Sequence, residues 1–366
     1  MVKLGGGSYG DVHRSGKFAV KRFSKLNHMV QEATAAFYLR GSECIVEGID
    51  CNVHKKELRM ALCDCNLSEW MDRFVDAPDH IRYSLMNDII TGLDRIHKLH
   101  LVHGDLKPGN ILVKYDHEGV PHARIGDLGF VSLAQYAKVE RTARAYRAEN
   151  VVPEASHDLF SLGVILFELF SGYKLRKRLS HERLQKLAKE HIDISKVRRA
   201  VVALVDKHSD RRPTCRRLLN TFFKTDLDTI SEWDGDPSDL ATEDWEDLSS
   251  GTSSASTSDD TVVVSVEVAK RVRNVIKVAV NGTTNPLRAK KACKAVLSYI
   301  VRNDLQPEDI DIHVMSMIII LSSNFGPSGF NDHRAAKLCH RSKEDVLDVL
   351  QSLLDDEEVI NTIMSP

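Results

Sequence analysis

His103-Gly104-Asp105-Leu106-Lys107-Pro108-Gly109-Asn110-Ile111-Leu112-Val113 governs how the rest of this chain is read. An Asp followed two residues later by Lys and five later by Asn is the spacing of a phosphoryl-transfer loop. In that chemistry Asp105 accepts the proton of an attacking hydroxyl, Lys107 steadies the transferred phosphate, and Asn110 holds a metal ion. The apolar run Ile111-Leu112-Val113 reads as a short strand that seats the loop against a core. Taken alone, the loop leaves the acceptor open between a protein and a small molecule.

Upstream, Leu4-Gly5-Gly6-Gly7-Ser8-Tyr9-Gly10-Asp11-Val12 holds a G-x-G-x-x-G-x-V pattern through Gly5, Gly7, Gly10 and Val12. Backbone N–H groups in such a turn can approach nucleotide phosphates without Cβ obstruction. A glycine-rich turn by itself is more often only a turn. Its neighbours change that reading. Phe18-Ala19-Val20-Lys21 puts a lysine on the following strand, within reach of α- and β-phosphate oxygens, and Glu32 falls on the next helix, where it can hold Lys21 by an ion pair. Each would pass singly for a solvated surface residue; in this order they form a constellation. Downstream, Ile125-Gly126-Asp127-Leu128-Gly129 follows the loop after a strand-length segment, and Asp127 stands as a second metal ligand.

Residues 4 to about 222 therefore resemble the eukaryotic-type protein kinase family, from the glycine-rich loop through Lys21, Glu32 and His103–Asn110 to Asp127-Leu128-Gly129. Asp158-Leu159-Phe160-Ser161-Leu162-Gly163-Val164 resembles the buried helix whose Asp braces the catalytic loop. Asp210-Arg211-Arg212-Pro213-Thr214 resembles the closing motif whose second Arg pairs with a Glu, either Glu149 or Glu154 in this chain. The resemblance implies a two-lobed α+β fold, with a small β-rich lobe (1–62) and a large helical lobe (66–225). It implies ATP and Mg²⁺ as cofactors, with Asn110 and Asp127 as metal ligands. Val12, Ala19 and Leu112 would enclose the adenine, with Ala61 to Cys63 as the hinge. Lys107 follows the pattern of Ser/Thr rather than Tyr kinases. Small-molecule kinases of the aminoglycoside or choline type also write His-Gly-Asp, but usually lack the Gly129 turn, the Asp158 helix and the Arg212 motif. A pseudokinase scaffold is the other alternative, at odds with the retention of every catalytic residue.

Two departures matter. Gly104 replaces the Arg that gathers a phosphorylated activation loop, so activity is expected without phosphorylation between Phe130 and Arg147, Thr142 included. Almost nothing precedes Gly5, so the first strand is expected to be very short or incomplete. This compactness resembles divergent, virus-encoded kinases.

The 366 residues and a formal net charge of −2 give no chain-wide attraction to nucleic acid or anionic membrane. Seven scattered Cys, with Cys63 and Cys65 lacking a second pair at zinc spacing, read as reduced thiols, and no signal-peptide or membrane-span pattern is found. An intracellular site is expected, cytoplasm or nucleus, in a host cell if the chain is viral. Composition divides the chain into 1–225, 226–260 and 261–366. The middle segment holds twelve acidic and no basic residues and reads as a disordered linker. Its Trp233 and Trp245 are candidate anchors for a regulatory partner, and Ser256 and Thr257 a phosphorylation site. The last part shows helical periodicity over Val266–Val280, Pro286–Val301, Ile310–Ser322, Asp332–His340 and Lys343–Leu354, read as a small regulatory or interaction domain. Protein substrates are the expected partners.

Overall fold

The structure, a computed structural model, describes residues 2–7, 9–133, 143–148, 154–223, 295–300, 309–325 and 331–364, with 272, 302, 303 and 305. Thr142, Glu149, the acidic segment and most of the two helices expected between 266 and 301 lie outside them.

Five short strands build the N-terminal sheet. Strands β1 (Val2–Gly7), β2 (Gly10–Ser15), β3 (Phe18–Phe23), β4 (Gly48–Asn52) and β5 (Glu57–Ala61) pair antiparallel in the order β1-β2-β3-β5-β4. The first strand is thus a full six residues, longer than expected, because even its glycines pair with β2 down to Gly7 opposite Gly10. Helix α1 (Leu26–Tyr38) crosses one face of this sheet. Asn27, whose residue type suits a helix cap, is not its N-cap; that position is Lys25, and no side chain caps it. Asn27 lies one residue inside the helix, too late to satisfy the first free N–H groups as an N-cap does.

Backbone bonds from Val46 N to Ile125 O (2.9 Å) and Ile125 N to Cys44 O (2.8 Å) tie this sheet region to the larger lobe. There, β6 (Cys65–Asn66) leads into α2 (Leu67–Arg73), started by a reciprocal Asn66–Glu69 capping box. Next come α3 (Asp79–Lys98), β7 (Leu101–Val102), β8 (Ile111–Tyr115), β9 (Pro121–Ile125) and β10 (Ser132–Leu133). Strands β6, β8 and β9 form one small sheet, and β7 pairs with β10. Helix α4 (Ala155–Ser171) is buried at every position from His157 to Phe170, so it serves as the lobe's central post. Around it stand α5 (His181–His191), α6 (Ser195–Leu204) and α7 (Cys215–Phe223).

The C-terminal part folds as α8 (Ile310–Phe325), α9 (Asp332–Cys339), α10 (Lys343–Asp355) and α11 (Glu357–Met364). The last helix was not expected. Asp356, which closes α10, accepts a hydrogen bond from Val359 N at 3.0 Å and opens a new helix. Glu357 and Glu358 then complement its N-terminal dipole. Helices α8 and α11 pack on α1, and α10 lies against β4. One apolar core runs through both lobes and these helices. Among the described residues no helix is long and apolar enough to cross a membrane.

Candidate active site

Lys21 comes from the centre of β3, and its ammonium lies between two carboxylates. Its Nζ donates to Glu32 Oε1 and Oε2 at 2.9 and 2.6 Å, and to Asp127 Oδ1 at 2.7 Å. Glu32 arrives from α1, and Asp127 from the turn after β9, so one cation links sheet, helix and large lobe. Burial opposes the charge on Lys21, but the two carboxylates outweigh it and hold its pKa above the usual lysine range. Asp127 is held below the ordinary carboxylate range, its own burial overcome by Lys21. Glu32, 3% exposed, goes the other way: burial pushes its carboxyl up to about 7 despite Lys21. Gly129 makes this packing possible, since a Cβ there would stand 2.9 Å from Glu32 Oε2.

That raised pKa has a measurable sign. The folded protein binds a proton at Glu32 that the unfolded chain releases near 4.5, so this group's stabilisation is lost as pH rises toward 7. Relative to Glu32→Gln, the nucleotide-free wild type should lose stability between pH 4.5 and 7. Urea unfolding of both chains across that window checks it, and a pH-independent difference would contradict it.

A second cluster is built on the loop between β7 and β8. Asp105 is 4% exposed. It accepts from Lys107 Nζ at 2.5 Å, Asn110 Nδ2 at 3.1 Å and Ala143 N at 3.2 Å. Asn110 Nδ2 also donates to the Asp105 carbonyl at 2.8 Å, which fixes the amide and leaves its oxygen for a cation. Asp158, wholly buried at the start of α4, accepts from His103 N (2.7 Å) and Gly104 N (3.0 Å) and meets His97 Nε2 at 3.1 Å. Burial would raise the Asp158 carboxyl, but these partners hold it low and therefore charged. Gly104 has φ +79°, the left-handed region that costs other L-residues about 1–2 kcal/mol. The exchange at this position thus removes a side chain and relieves backbone strain together.

The remaining sequence-predicted residues fall around these clusters. Gly5, Gly7 and Gly10 lie in and beside the β1–β2 turn. Val12 and Ala19 stand on adjacent strands, Leu112 on β8, and Ala61 to Cys63 where the chain leaves β5 for β6. Arg212 shows no bond to Glu154, and its other expected partner, Glu149, lies outside the described residues. Its guanidinium donates to the carbonyls of Asp206 (3.0 and 2.8 Å) and Ser156 (2.7 Å) and lies over Phe160, whereas Glu154 is exposed. Among the described residues its bonds are thus to backbone carbonyls, one just after α6 and one at the start of α4. Sequence reasoning missed His97, whose position in the last turn of α3 signals only dipole complementarity. It also missed Tyr9, whose ring meets His28 and Phe130 edge-on at 4.4 and 5.4 Å, joining the glycine-rich turn to α1 and the Asp127 turn.

No cluster of three or more His, Cys, Asp or Glu able to hold a metal occurs among the described residues. Asn110 and Asp127 nonetheless suit Mg²⁺, which is usually held by one or two protein oxygens plus substrate phosphates. The arrangement can thus grip a polyphosphate between Lys21 and Asp127 and present a buried carboxylate to an acceptor.

The family profile described as "protein kinase domain" matches residues 1–229. Among curated proteins, the mitosis inhibitor protein kinase wee1 of Schizosaccharomyces pombe is 29% identical, the match covering 46% of this chain and 22% of that protein. The membrane-associated tyrosine- and threonine-specific cdc2-inhibitory kinase wee-1.1 of Caenorhabditis elegans is 25% identical over 59% of this chain and 51% of its own length. The interferon-induced, double-stranded RNA-activated protein kinase of Mus musculus is 34% identical over 31% of this chain and 23% of its own. The chain thus spans between about a fifth and a half of the relatives it matches.

Proposed function

Because this chain belongs to the protein kinase family, we propose that it transfers the γ-phosphoryl group of ATP, with Mg²⁺, to Ser and Thr hydroxyls of protein substrates. The observation that carries this reading is Lys21 reaching from the small-lobe sheet to Asp127 at 2.7 Å while Glu32 braces it. Asp105 orients the acceptor hydroxyl and takes its proton as the oxygen bonds to the γ-phosphorus and the bond to ADP breaks. Lys107 offsets negative charge on the group in transit, and Lys21 positions the α- and β-phosphates. A divalent cation held by Asn110 and Asp127 would neutralise charge on the phosphate oxygens. Val12, Ala19, Leu112 and the Ala61–Cys63 segment would enclose the adenine.

The acceptor type rests on Lys107; the worm relative is named tyrosine- and threonine-specific. Gly104 supports activity without a phosphorylated activation segment, because no guanidinium stands there to gather a phosphate. The domain reading is a kinase unit over 1–225, an acidic linker over 226–260 that can also receive a regulatory partner, and a helical unit over 261–366.

One experiment tests the reading: label transfer from γ-labelled ATP to a generic protein, to the chain itself and to small hydroxyl compounds, before and after phosphatase treatment. Label on protein Ser and Thr, little changed by phosphatase, is expected. Label only on small hydroxyl compounds would replace the reading with a metabolite kinase, and nucleotide binding without transfer would leave a scaffold.

A further inference from the structure

Helix α1 has an unusual burial pattern for a helix at the rim of a sheet. No residue from Leu26 to Leu39 is exposed, and Met29, Val30, Ala33, Thr34, Ala35 and Ala36 are at most 2% accessible. A helix buried on all sides needs packing partners on all sides. The sheet and the Leu128–Phe130 turn cover part of its circumference; α8 and α11 cover the rest.

Local stabilisers are absent from α1. It has no side-chain N-cap, no acidic residue in its first turn and no basic residue in its last. Thirteen residues with two β-branched side chains and no caps are marginal on their own, so tertiary packing must hold this helix. Undocking of α8 and α11 would leave a small-residue apolar face in water and an uncapped helix behind it. Glu32 stands in the middle of that helix, and its carboxylate reaches Lys21 only while the helix keeps its place.

A polar seam fixes the same docking from the sheet edge. β4 is the outer strand, so one of its sides has no strand neighbour. Gln351 of α10 meets that edge twice, accepting from Val53 N at 2.9 Å and donating to Cys51 O at 3.1 Å. His54, in the following turn, contacts Asp348 at 2.9 Å and Glu344 at 3.3 Å.

We propose that helices α8–α11 are a built-in activating module: docked on α1 and β4, they hold Glu32 against Lys21 and so keep the phosphate-gripping site assembled. The proposal rests on the phosphoryl-transfer reading for its rate measurement but has a second readout that does not. In full-length protein, Gln351→Glu with Asp348→Lys would set charges of the wrong sign against the Cys51 carbonyl and His54. Separately, Leu350→Pro, at a fully buried position inside α10, would break the module itself. Transfer rate and amide hydrogen exchange of α1, α10 and α4 are then read together.

The expected result is faster exchange in α1 and α10, unchanged protection in α4, and a transfer rate lower by about tenfold or more. Were Leu350→Pro to strip protection from α4 as well, the seam variant decides on the same readings. Transfer within twofold of wild type while α10 has lost protection would overturn the proposal. A wild-type chain with no transfer refutes the kinase reading instead; the module is then judged by α1 exchange, and α1 protection surviving the loss of α10 overturns it.

Discussion

Asp105→Asn should lower phosphoryl transfer about 10³-fold, the central magnitude for removing a positioned general base. The substitution keeps the shape of the side chain and one acceptor oxygen, so it retains either the Ala143 N bond to Oδ1 (3.2 Å) or the Asn110 Nδ2 bond to Oδ2 (3.1 Å), and Asn110 keeps its bond to the main-chain carbonyl. It removes the charge and the basic lone pair that would receive the acceptor's proton. Lys107, now 2.5 Å from a carboxylate oxygen, loses its ion-pair partner but is part-exposed and can turn to water. Nucleotide affinity should barely change, because Lys21, Glu32 and Asp127 form a separate cluster. Single-turnover transfer from labelled ATP, alongside nucleotide binding measured by a fluorescent analogue, separates the two effects. A variant that retains transfer within tenfold of wild type would remove Asp105 from the role of base. Parallel loss of binding and transfer would show that the loop had collapsed rather than lost its chemistry.

The constellation was legible because its members sit at fixed spacings on elements that declare themselves locally. Asp105 and Asn110 share one short loop, and Lys21 and Glu32 are one strand and one helix apart. What could not be read was long-range. The stripe Met29, Ala33, Ala36, Phe37, Leu39 marks one buried face of α1, but Val30, Thr34 and Ala35 on the others are small or β-branched. Such residues suit a wet surface as well as a close helix contact, so the docking of α8 and α11 left no periodic signal. Arg212 shows a different limit. Among the described residues its guanidinium bonds to the carbonyls of Asp206 and Ser156, and nothing in a sequence marks a carbonyl as a partner. The unforeseen α11 failed on a boundary: Asp356 ends one helix and caps the next, and only the backbone geometry says so.

Lys21→Met should be the most destabilising single change in the site, by about 3–5 kcal/mol at pH 8, the range for breaking a buried pair from one side. The ammonium is shared by two carboxylates within 2.9 Å, and methionine leaves both facing each other without a cation. The loss should shrink as pH falls, since Glu32 is already pushed up to about 7 and can neutralise itself by taking a proton. Adding Glu32→Gln should recover most of the stability, because only Asp127 then remains charged, and it has access to water. It should not recover activity: with no cation to position the phosphates, transfer stays down by about 10²–10³-fold in both variants. Urea unfolding at pH 6 and pH 8, with transfer rates on the same samples, measures both arms. Equal instability of the single and double variants would mean that Glu32 and Lys21 are not energetically coupled. Recovery of transfer along with stability would mean that Lys21 acts on the fold and not on the phosphates. Stability that returns without activity would place Lys21 in both roles, as the cation that lets two buried carboxylates coexist and as the group that grips the nucleotide.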